Sequence, residues 1–115
     1  MFTLEQVDAA LDAVIEKYPA GKNERCFYSR HGRPHCVIGH VFDELGFGAP
    51  PSTERNTWVL PGGREIGNSI SEYDDLLDQW FDLAACRRLD VVQQHADSYA
   101  SWVESVRMAR EEDVQ

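Results

Sequence analysis

The sequence predicts a single α+β domain over residues 1–115, mostly helical, with a small antiparallel sheet or hairpin. Three observations carry that expectation. The chain is 115 residues long with 43% apolar residues, which suits one domain around one core. Its first and last thirds carry apolar residues at helical spacing. Its middle is cut by Gly and Pro into short aromatic or β-branched pieces.

Residues 4–18 read as the first helix. Leu4, Val7, Leu11, Val14 and Tyr18 recur three and four apart, with Ile15 widening the stripe. Glu5, Asp8, Asp12 and Glu16 form an acidic face. Thr3 and Gln6 make a T-x-x-Q capping box, and Pro19-Ala20-Gly21 ends the helix. Residues 25–29, "RCFYS", read as a short strand, and "RHGRP" as a turn. "HCVIGHVFDELG" (35–46) then reads as a helix closed by Gly46.

The stretch 47–56 is expected to be loop. "TWVLPGGREI" (57–66) is expected to be a hairpin about Pro61-Gly62-Gly63. The strand pieces 25–29, 57–60 and 64–67 would then join in one small sheet. From residue 72 the pattern is helical, with Leu76, Leu77, Trp80, Phe81 and Ala84 on one face. Asp90 with Gln93 places a break near 88–90. Ser101 and Glu104 form a capping box for a last helix, and residues 111–115 are expected to fray.

The formal net charge is −9. Residues 72–115 hold eleven acids against four arginines. Such a balance repels nucleic acid at long range and argues against DNA or RNA as a partner. No apolar run is long enough to span a bilayer, and the acidic N-terminal stretch does not read as a signal peptide. A cytoplasmic location follows as an expectation, and three cysteines with no dense framework suit a reducing compartment. Several apolar helix faces in so short a chain leave room for a homodimer.

Chemistry concentrates in "CFYSRHGRPHCVIGH" (26–40), which holds two of the three cysteines and three of the four histidines. Cys26, Cys36 and His40 are candidate zinc ligands, with His31, Cys86 or water as a fourth. No C-x2-C knuckle is present, and a Cys on an apolar helix face is commonly a small core residue. Cys36 at a helix start, beside His35 and His40, also admits a reactive or redox thiol. A Cys26–Cys36 disulfide fits the spacing but not the compartment. The acids of "EYDDLLDQWFD" read as a solvated face or as a surface for a basic partner. P-loop, G-x-G-x-x-G, H-E-x-x-H and G-x-S-x-G patterns are all missing.

"CFYSRHGRPHCVIGHVFDELG" and "LDVVQQHADSYASWVESVRMA" together resemble segments of a family of small uncharacterised actinobacterial and actinophage proteins. Gly32, Pro34, Cys36, Gly39 and His40 match the first segment, and Asp97 and Trp102 the second. Tyr99 stands where the pattern has glycine. The resemblance implies a bacterial or phage protein and carries no activity with it. The reading that follows is a small, acidic, non-enzymatic interaction or regulatory protein with a protein partner, phage-encoded and acting on a host component. A zinc module or thiol redox protein centred on Cys26, Cys36 and His40 stands as the alternative.

Overall fold

The computed structural model describes residues 1–23, 29–30, 33–34, 36–49, 57–66, 77–98 and 100–112, with the backbone alone at 29, 30, 33 and 34. Four helices carry the described fold: α1 (Leu4–Lys17), α2 (Val37–Leu45), α3 (Leu83–Asp97) and α4 (Trp102–Glu112). Two antiparallel two-stranded ladders complete it. Strand β1 (Ser29–Arg30) pairs with β2 (Arg33–Pro34), and β3 (Trp58–Val59) pairs with β4 (Glu65–Ile66). This is the small, mostly helical α+β domain the sequence predicts.

Helix α1 forms where its pattern places it. The Thr3 hydroxyl accepts from the Gln6 amide, and the Gln6 side chain accepts from the Thr3 amide at 2.9 Å. That reciprocal pair satisfies two otherwise orphaned donors. Val7, Ala10, Leu11 and Val14 are buried. Helix α2 buries Val37, Ile38, Gly39, Val41 and Phe42, and Gly46 ends it in the left-handed conformation. It begins at Val37, two residues later than expected, because Cys36 is an extended N-cap residue.

The expected three-piece sheet does not form among the described residues. Pairing of 29–30 with 33–34 uses the tight turn locally. The outer edge of β3 is filled by the loop after α2 instead. Ala49 and Val59 exchange both backbone hydrogen bonds, at 2.8 and 3.0 Å. Residues 25–28, Gly32, Leu76, the acids Asp74 and Asp75, and Tyr99 lie outside the described residues.

The break expected near 88–90 is also corrected. Helix α3 runs unbroken through those residues. Its start is at Asp82, whose carboxylate accepts from the Ala85 amide at 2.8 Å. Asp90 caps nothing; it accepts from the Gln94 side chain one turn on. The real interruption before α3 is tertiary. Phe2 bridges to residues 80–82 like a strand, donating to the Trp80 carbonyl and accepting from the Asp82 amide. Helix α4 starts at its predicted cap, with Ser101 Oγ accepting from the Glu104 amide. It stays helical through Glu112, so Glu111 and Glu112 are not frayed.

The core lies between the helices, with the β3–β4 hairpin closing one end. Helix α3 packs on α4, and α1 packs on α2 while touching α3 and α4. Phe42, Phe47 and Phe81 form a mutual ring cluster, with centroids 4.9–6.1 Å apart. Trp58 joins through Phe42, and its indole donates to the Phe47 carbonyl at 2.7 Å. Such edge and tilted pairs add to the burial of the rings themselves.

Candidate functional site at the Asn23 corner

The two chemically dense segments of the sequence meet at one corner, and a residue outside both joins them. Asn23 follows α1 in the 18–23 connection. Its carboxamide oxygen accepts from the Val37 amide at 3.1 Å and from the Trp102 indole at 2.7 Å. Its amide nitrogen donates to Asp97 at 2.8 Å. Asn23 thus caps the start of α2 in place of Cys36, whose side chain makes no cap hydrogen bond. It also ties that helix to the end of α3 and the start of α4.

Aromatic packing extends the corner. The His40 ring lies 4.6 Å from Tyr18 and 5.1 Å from Trp102, centroid to centroid. The polar ring on the apolar face of α2 therefore sits between two aromatic side chains. Tyr18 is exposed and Trp102 is buried. The backbone at Gly21 lies close against the indole. A Cβ there would fall inside the Trp102 ring, so this close approach requires glycine. Gly21 also exchanges chain contact with α4 directly, its carbonyl accepting from the Trp102 amide at 2.9 Å.

Cys36 is buried beneath this corner as a free thiol. Burial pushes it up to about 12, the nearby Asp97 charge adding to the effect, while the amides of Gly39 and Ile38 pull the other way. Loss of water around the thiolate outweighs those amides. This is the reverse of an activated nucleophile. Peptide-mapped alkylation of the native protein at neutral pH is expected to label Cys36 far more slowly than free cysteine, and to label it readily in urea. The sign for stability follows from the raised value. The folded state holds a proton that the unfolded chain releases, so the Cys36 contribution is intact below about pH 9 and is lost as pH rises toward 12.

Of the proposed zinc ligands, the structure places Cys36 and His40 one turn apart on α2, with the His40 amide bonded to the Cys36 carbonyl. Cys26 and His31 lie outside the described residues. Cys86 is buried on α3, its thiol facing the Phe81 carbonyl at 3.7 Å. Among the described residues, no three His, Cys, Asp or Glu side chains are grouped to hold a metal ion. His95, the one histidine outside residues 26–40, is half-buried on α3 and lies 3.3 Å from Glu112 of α4.

A second feature lies along α1 and α4, and no motif announced it. Ile15, Val103, Val106, Arg107, Arg110 and Glu111 line an open, largely apolar groove of about 520 Å³. Val103 is 38% exposed in it. Carboxylates hold both arginines. Arg107 pairs with Glu104 at 2.6 Å and Glu111 at 2.7 Å. Arg110 pairs with Asp12 at 2.9 Å and Asp8 at 3.5 Å. The Arg107 guanidinium in turn holds the Glu104 carboxyl below its ordinary value.

No family model, curated protein or solved structure matches this chain. The fold and its corner define a small α+β domain in which Cys36 and His40 are built into the packing around α2. No described helix is long and apolar enough to cross a membrane.

Proposed function

We propose that the chain is a small acidic protein-binding protein without catalytic activity, and that its partner docks along the α1–α4 groove. The observation that carries this reading is the groove itself: an open, largely apolar floor between α1 and α4 that holds an exposed valine. Apolar floors with polar rims are the usual form of helix-docking surfaces. The buried, protonated Cys36 supports the non-enzymatic side of the reading. The resemblance of its motifs to actinobacterial and phage proteins supports a host component as the partner.

Val103→Gln tests it. The exchange places a better helix former on an exposed position, so the circular dichroism spectrum is expected to be unchanged and the stability to stay within about 0.5 kcal/mol of the parent. Affinity capture from actinobacterial lysate should then recover at least one protein with the parent chain and lose it with Val103→Gln. Equal recovery by both chains would remove the groove from the function.

A further inference from the structure

We draw no further inference here: the strongest candidate, the apolar groove between α1 and α4 floored by Ile15, Val103 and Val106, has arginines and carboxylates at its rim that pair with one another, and nothing in the structure shows what covers it.

Discussion

Asn23→Ala is expected to lower stability by about 2–4 kcal/mol, with a loss of native urea resistance to match. One side chain makes three hydrogen bonds here. Its removal leaves the Trp102 indole, the first amide of α2 and one Asp97 oxygen without their partner in a partly buried place. Leaving such groups unsatisfied costs more than the bonds contribute net. Asn23→Asp separates the parts. It keeps an acceptor for Val37 and Trp102 but sets a second carboxylate against Asp97, where the amide nitrogen now stands at 2.8 Å. Two carboxylates this close raise the pKa of one of them in the folded state. The Asp variant should therefore approach the parent as pH falls into the carboxylate range and fall behind it as pH rises. A pH-independent deficit would show that the Asn23–Asp97 contact carries little of the corner's stability.

Phe42→Ala is expected to cost about 3–5 kcal/mol. Phe42 is fully buried and lies at the centre of the ring cluster, touching Phe47, Trp58 and Phe81. Truncation removes the transfer free energy of the ring and leaves a cavity that three rigid aromatic neighbours cannot close. A domain of this size has about 5–15 kcal/mol in hand, so the variant should sit near its unfolding limit. Phe42→Leu, which refills most of the space, should lose much less. A loss below about 1 kcal/mol on truncation to Ala would show that the cluster can collapse around the gap.

Local features of this fold are legible in the sequence, and non-local ones are not. Helix α1 was legible because its signals are contiguous: Thr3 with Gln6 at one end, a clean apolar stripe, and Pro19 at the other. The 58–66 hairpin was legible from Pro61-Gly62-Gly63, and both glycines do take positive φ. The start of α3 was not, because "WFD" continues the apolar period of the residues before it. Residues 80–82 there pair instead with the backbone of Phe2, some eighty residues earlier. Asn23 was invisible for the same reason. It is a lone polar residue in a connection, and its partners lie 14, 74 and 79 positions away. The question posed by His40 was legible, but its answer was not: a histidine on an apolar stripe must pack somewhere, yet Tyr18 and Trp102 are named by the fold alone.

The contacts of α1 also make the folding of the domain a long-range affair. Its start is bonded to residues 80–82, its middle to Arg88 and Arg110, and the segment after it to Asp97 and Trp102. Helix α1 can pack on α2 early, but its start and middle meet their remaining partners only when α3 and α4 are in place. Closing loops of that length is slow, so the domain is expected to fold more slowly than its helix content alone would suggest. The domain thus locks as a unit, with α1 secured only once α4 has packed.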